Sequence, residues 1–184
     1  MYINKNINIG EKLENYEEQC IYFCEPIKNN IINDGNFIRI LYSKPFVLLN
    51  GIYLYFSLNI HSVEKYYNKL KCNFMITEHR DIIEKMKQME DGILKKLDLN
   101  KIPQYKLSEQ FKNGNVKIFN EFTLKEKEKE KEKEKEKDKN TDVSQWSDWN
   151  GISNFVLKIS GVWENELYYG LTFKFVKTDG LSFF

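Results

Sequence analysis

The chain has 184 residues, 41% of them hydrophobic and 15% aromatic, enough for one domain with a real core. Its formal charge of +1 conceals a division: Lys125 to Lys139 holds eight lysines, six glutamates and one aspartate, and basic and acidic residues balance in the rest of the chain. A uniformly basic, polyanion-binding body is excluded, so any nucleic-acid site must be a local patch. Three cysteines (Cys20, Cys24, Cys72) are too few for a disulfide scaffold, and no leader pattern precedes them, so an intracellular protein is expected.

In chain order, the short apolar run Cys20 to Cys24 is followed by Pro26 and an Asn-rich loop to Gly35. Cys20 and Cys24 would share a strand face, but no histidine or second cysteine pair completes a tetrahedral metal set, and a structural role is expected. Asn36 to Tyr42 reads as a strand, interrupted by Ser43-Lys44-Pro45. A long strand from Phe46 to Ile60 follows, with Asn50-Gly51 as a bulge or bend. Past Gly51, Ile52, Leu54, Phe56, Leu58 and Ile60 alternate with Tyr53, Tyr55, Ser57 and Asn59, giving one buried and one aromatic-polar face. Polar positions interrupt this run, the longest apolar one, and it is too short for a membrane span. Leu70 to Ile76 repeats the pattern, with Lys71 and Asn73 on the polar face.

Thr77 stands as a helix N-cap, and Ile82, Ile83, Met86, Met89, Ile93, Leu94 and Leu97 recur at helical spacing, which predicts an amphipathic helix over Glu78 to Leu97. The methionine stripe is expected to be core and the lysines a solvated face. After Pro103, an Asn113-Gly114-Asn115 turn precedes a strand from Val116 to Phe122. Residues 125–145 form a Lys/Glu-rich insertion with no apolar residue in its charge tract, expected to be disordered within a single 1–184 domain. Trp146 and Trp149 follow it, either as exposed platforms or as a cover for the barrel mouth.

In the last hairpin Phe155, Leu157 and Ile159 oppose Val156, Lys158 and Ser160, and Leu171, Phe173 and Phe175 oppose Thr172, Lys174 and Val176. Gly161 and Gly170 bracket the turn region. The order predicts a mainly β, OB-fold-like five-stranded barrel, with the amphipathic helix between the third and fourth strands and Cys20 to Cys24 and Val116 to Phe122 as additional edge elements.

The outer side of the second and third strands of such a barrel, with the adjoining loops, binds oligonucleotides. On that basis the nucleic-acid-binding candidates are Tyr53, Tyr55, Lys71 and Asn73 on the strands, Lys44 and Phe46 on the first connection, Trp146 and Trp149 after the insertion, and Arg39, Lys158 and Lys174 as phosphate contacts. Single-strand binding needs flat rings for bases and cations for phosphates, and both occur. The structural alternative is that Tyr53 and Tyr55 form cross-strand aromatic pairs in a twisted sheet. His61 and His79 stand without a nucleophile motif, metal spacing or phosphate loop, so neither catalysis nor a cofactor is expected.

The segments NFIRILYS (Asn36 to Ser43), LNGIYL (Leu49 to Leu54), KIPQYK (Lys101 to Lys106) and FVLKISGVWENELYYGLTFKF (Phe155 to Phe175) resemble single-stranded-DNA-binding proteins of large nucleocytoplasmic DNA viruses, relatives of the OB-fold proteins of phage replisomes. The resemblance implies sequence-independent coating of unwound DNA in viral replication, recombination or repair, in the host cytoplasm or nucleus. It also implies contact with replication proteins through a C-terminal tail. Here that tail keeps an aromatic end, Phe183 and Phe184, but has one acid where such tails are acidic. A homodimer is compatible with the pattern. The competing class is a non-enzymatic viral structural or assembly protein that uses the barrel as a protein-interaction scaffold.

Overall fold

The computed structural model describes residues 10–29, 34–119 and 150–178. The Lys/Glu-rich insertion, Trp146, Trp149, Phe183 and Phe184 lie outside the described residues. Among the described residues eleven strands occur in order: β1 (Glu11–Lys12), β2 (Ile21–Phe23), β3 (Ile27–Lys28), β4 (Asn36–Lys44), β5 (Val47–Leu49), β6 (Ile52–Tyr66), β7 (Lys69–Phe74), β8 (Ile102–Gln104), β9 (Asn115–Phe119), β10 (Gly151–Glu164) and β11 (Tyr168–Thr178). Helices α1 (Arg80–Leu97) and α2 (Lys106–Lys112) flank β8.

Strands β6, β7, β9, β11 and β10 pair in that order, and β10 pairs back onto β6, closing a five-stranded barrel. The fold is therefore mainly β and OB-fold-like. Closure removes the sheet edges along this circuit, so its strands need no protective charges there. Barrel membership differs from the sequence expectation in two places. The strand after Gly114, expected at an edge, is β9 and completes the barrel between β7 and β11. Conversely β4 lies off the circuit and pairs with the far end of β10, from Gly161 to Glu164. Counted from β4, α1 follows the third long strand as expected; around the circuit it follows the second.

The alternation read in the sequence sets the faces. Ile52, Leu54, Phe56, Leu58 and Ile60 are buried with Phe155, Leu157 and Ile159, while the intervening side chains point outward. Met86, Met89, Ile93 and Leu94 from α1 and Leu107 and Phe111 from α2 join the same core. Phe111 is fully buried, with its ring 5.9 Å from Phe56, 5.7 Å from Phe74 and 5.9 Å from Phe175. These tilted and edge-on contacts are the favoured geometries for packed rings.

The expected strand from Phe46 to Ile60 is broken at Asn50-Gly51. Gly51 has φ +110°, and a Cβ there would stand 2.6 Å from the Ile159 carbonyl oxygen, so only glycine allows β6 to approach β10. Beyond a bulge at His61, β6 then runs six residues further than expected, to Tyr66.

The expected helix start at Glu78 is also displaced. Residues Ile76–Glu78 form a 3-10 turn and α1 begins at Arg80 with His79 at its N-cap. The side chains there are engaged elsewhere: the Asn59 backbone N–H donates to His79 Nε2 at 3.0 Å, and the Asn59 amide donates to Glu78 at 2.9 Å. Burial holds the His79 imidazole below the ordinary histidine value of 6.5, against the pull of Glu78 and with the push of His61. A base depressed in the fold contributes stability that is present above pH 6.5 and lost as the pH falls through its folded value. Urea midpoints of the wild type are therefore expected to drop on acidification from pH 7 to 5 more than those of His79→Gln, whose amide oxygen can still accept from Asn59. Parallel pH profiles would contradict this.

Candidate nucleic-acid interface

The outward side chains of β6, β10 and β11 fall into cross-strand rows. Tyr53 lies opposite Lys158, and Lys158 opposite Lys174. One step along, Tyr55 lies opposite Val156 and Val156 opposite Val176. Neighbouring strands are about 4.8 Å apart, so each row spans about 10 Å, within reach of a single nucleotide and its phosphate. Lys158 Nζ sits 5.0 Å from the centroid of the Tyr53 ring, within cation–π range.

Arg39 joins the same face from β4. Its guanidinium donates to Asn50 Oδ1 at 2.9 Å, and the Tyr53 hydroxyl lies 3.5 Å from the Asn50 carbonyl. The Asn50 bend that separates β5 from β6 thus ties Arg39 to Tyr53.

Three residues absent from the sequence reading extend the patch. Lys12 on β1 is exposed and lies opposite Tyr55 in a parallel pairing, on the same face. Phe37 and Trp163 face each other across β4 and β10. Both rings lie over glycines. A Cβ on Gly161 would come 2.6 Å from Phe37 Cζ, and one on Gly170 would come 3.1 Å from Trp163 Nε1. Gly161 and Gly170, which looked like turn markers, instead make room for aromatic rings on a sheet surface. Among the described residues, the outward positions of β4, β6, β10 and β11 from Phe37 to Val176 in these rows carry no carboxylate. A cationic and aromatic face is left, with polar ends at Ser57 and Asn154, which hydrogen-bond each other at 2.8 Å.

Other expected contacts are placed elsewhere. Lys71 and Asn73 are on β7, where Asn73 opposes Ser62, seven residues along β6 from Tyr55 and so about 23 Å away along the strand. They do not share a face patch with Tyr53. The Asn73 amide donates to Ser62 Oγ at 3.0 Å and to Glu64 at 2.8 Å, and Lys71 approaches Glu64 at 3.5 Å. A smaller second patch lies there: Tyr66 is exposed with Lys117 Nζ 4.4 Å from its ring centroid, and Tyr67 is exposed beside it, but Glu64 sits among these groups.

Lys44, expected to contact phosphate, is instead held by partners of its own chain. Its ammonium pairs with Glu11 at 2.7 Å and Glu17 at 2.8 Å and donates to the Asn15 carbonyl. Hydrogen bonding to Glu11 and then Glu17 holds its pKa well above the usual lysine range. Phe46 is fully exposed in the β4–β5 turn, beyond the end of β4 and seven residues in sequence from Arg39.

Comparisons with protein-family models, with curated proteins and with solved structures return no match. The likeness to viral single-stranded-DNA-binding proteins accordingly rests on the sequence segments quoted above. The cysteines are free, Cys72 being buried with its thiol pushed up to about 12 by that burial. Among the described residues no group of three His, Cys, Asp or Glu side chains could hold a metal ion, and no helix is long and apolar enough to cross a membrane.

Proposed function

We propose that this protein binds single-stranded nucleic acid without sequence preference, DNA being the partner named by the sequence resemblance, and that it does so without catalysis. The observation that supports this reading is the face of β4, β6, β10 and β11, whose outward positions carry no carboxylate among the described residues and bring Tyr53, Tyr55, Phe37 and Trp163 together with Arg39, Lys158 and Lys174, with Lys12 of β1 beside Tyr55. Rings offer stacking surface to any base, at roughly 1–3 kcal/mol for each base stacked, and the cations neutralise the backbone beside them. Because the chain is otherwise near neutral, affinity depends on this local patch rather than on long-range steering.

Anisotropy titration of a fluorescent oligo(dT) at two salt concentrations tests the proposal. If those cations neutralise about four phosphates, affinity falls about 50-fold between 50 and 200 mM salt, and duplex of equal length binds much more weakly. Binding that ignores salt, or that favours duplex, would overturn it. One observation favours the alternative of an interaction scaffold: the exposed apolar hairpin around Phe46.

A further inference from the structure

The hairpin β4–β5 combines two features that the fold alone does not explain. Phe46 adopts φ 69° at the turn, in the left-handed region that glycine or asparagine occupies at little cost and a bulky residue does not. The residue is 104% exposed, so nothing among the described residues packs against the ring to offset that strain. Leu48, two residues on in the same hairpin, is 65% exposed. A strained, exposed aromatic at a turn points outward to a partner.

Beside the hairpin is its complement. A cleft of about 220 Å³ is lined by Gly10, Glu11, Tyr42, Pro45, Val47 and Leu49, with Lys44 at its rim. The charges at this rim are already paired, since Lys44 bonds both Glu11 and Glu17, so an apolar ring entering the cleft strands no charge. Among the described residues β5 pairs only with β4. In this two-residue hairpin Lys44 and Val47 form the closing pair, so the alternation of an antiparallel ladder turns the Leu48 N–H and C=O away from β4, toward the open edge.

A knob, a hole and an open edge on one patch are self-complementary, which is the requirement of a two-fold interface. We propose that two copies of this chain pair antiparallel through β5, exchanging hydrogen bonds at Leu48 and setting each Phe46 ring into the cleft of the other copy. Val47 of each copy, which lines its cleft together with Leu49, then lies opposite Leu49 of the other copy, and the four side chains form one continuous apolar strip. This inference does not rest on the nucleic-acid reading, because the hairpin tip lies far along β4 from Arg39.

The test is the solution mass of the full chain by sedimentation equilibrium, with oligo(dT) binding measured on the same samples. The contact is small, so a monomer–dimer equilibrium is expected at about 10–100 μM. Phe46→Gly, which suits the left-handed turn, and Leu48→Pro, which removes the outward N–H, should each weaken the dimer at least tenfold while the melting transition persists. A mass of one chain throughout this range overturns the proposal, as does a dimer indifferent to both substitutions. A chain that dimerises only after residues 1–9 are removed also overturns it, because its own N-terminal segment is then the occupant. So does a tenfold loss of oligo(dT) affinity on Phe46→Gly with no change in mass, which would make Phe46 a base-stacking ring.

Discussion

Reversing two charges together, Lys158→Glu with Lys174→Glu, is expected to lower affinity for single-stranded oligonucleotide by about 100-fold, since each reversal removes a phosphate contact and adds a repulsive one. The two lysines are direct cross-strand neighbours, so their fields add at one point on the face, and no carboxylate in the surrounding rows offsets them. Reversal at 158 also removes the cation from the Tyr53 ring, freeing that ring from its 5.0 Å contact and leaving a carboxylate where a phosphate would lie. Stability should barely move. Both side chains point out of the barrel, Lys174 is exposed, and surface substitutions of this kind stay within about 0.5 kcal/mol. Lys71→Glu on β7 is the control, expected to change affinity less than about threefold because that residue already faces Glu64 and belongs to a different patch. Equal losses in the two variants would mean that binding follows overall charge. A loss confined to Lys71→Glu would move the interface to the β7 side and its Tyr66–Tyr67 pair.

The face of each long strand was legible because it depends only on the two-residue period: Ile52 to Ile60 and Phe155 to Ile159 turn inward as read, and Tyr53, Tyr55, Lys158 and Lys174 turn outward. Partnership between strands was not, because nothing in a local alternation records which distant strand supplies the hydrogen bonds. That is why β9, five residues long beside a charge tract, passed for an edge although it closes the barrel, and why Lys71 was grouped with Tyr53 on consecutive strands. The bulge at His61 and the length of β6 put them far apart. Lys12 went unseen because β1 is two residues long and carries no periodicity at all. Phe37 and Trp163 could have been suspected from the glycines. A glycine inside an otherwise good strand, as at Gly161 and Gly170, often marks close approach by another group, and here the approaching groups are aromatic rings. Lys44 shows the opposite limit: a lysine beside a turn looks free in sequence, whereas its two glutamates come from a segment about thirty residues earlier.

Replacing Glu90 by alanine is expected to destabilise the protein by about 3 kcal/mol, more than any exposed substitution considered above, because it leaves three buried donors unpaired at a helix end. Glu90 lies on α1 and is fully buried, and its hydrogen bonds go to α2. Its carboxylate accepts from the backbone N–H of Leu107 at 2.9 Å, from that of Ser108 at 2.7 Å and from the Ser108 hydroxyl at 2.5 Å. The two amides belong to the first turn of α2, whose own N-cap residue, Tyr105, makes no side-chain capping bond, so a residue of one helix caps the other. The cap fixes α2 and through it Phe111, which touches Phe56, Phe74 and Phe175 inside the barrel. Burial raises the Glu90 pKa above the usual glutamate range and outweighs the hydrogen bonds that lower it. For an acid raised in the fold, the folded state holds its proton more tightly, so stability falls as the pH rises from 4.5 through the folded value. Glu90→Gln, neutral at every pH and able to keep one acceptor, should lose less than Glu90→Ala. The advantage of the wild type over Glu90→Gln should widen as the pH is lowered toward 4.5. Chemical denaturation of the three proteins across that range reads both effects at once. An alanine variant as stable as the wild type would mean that α2 holds its place without this cap, through the burial of Leu107 and Phe111 alone.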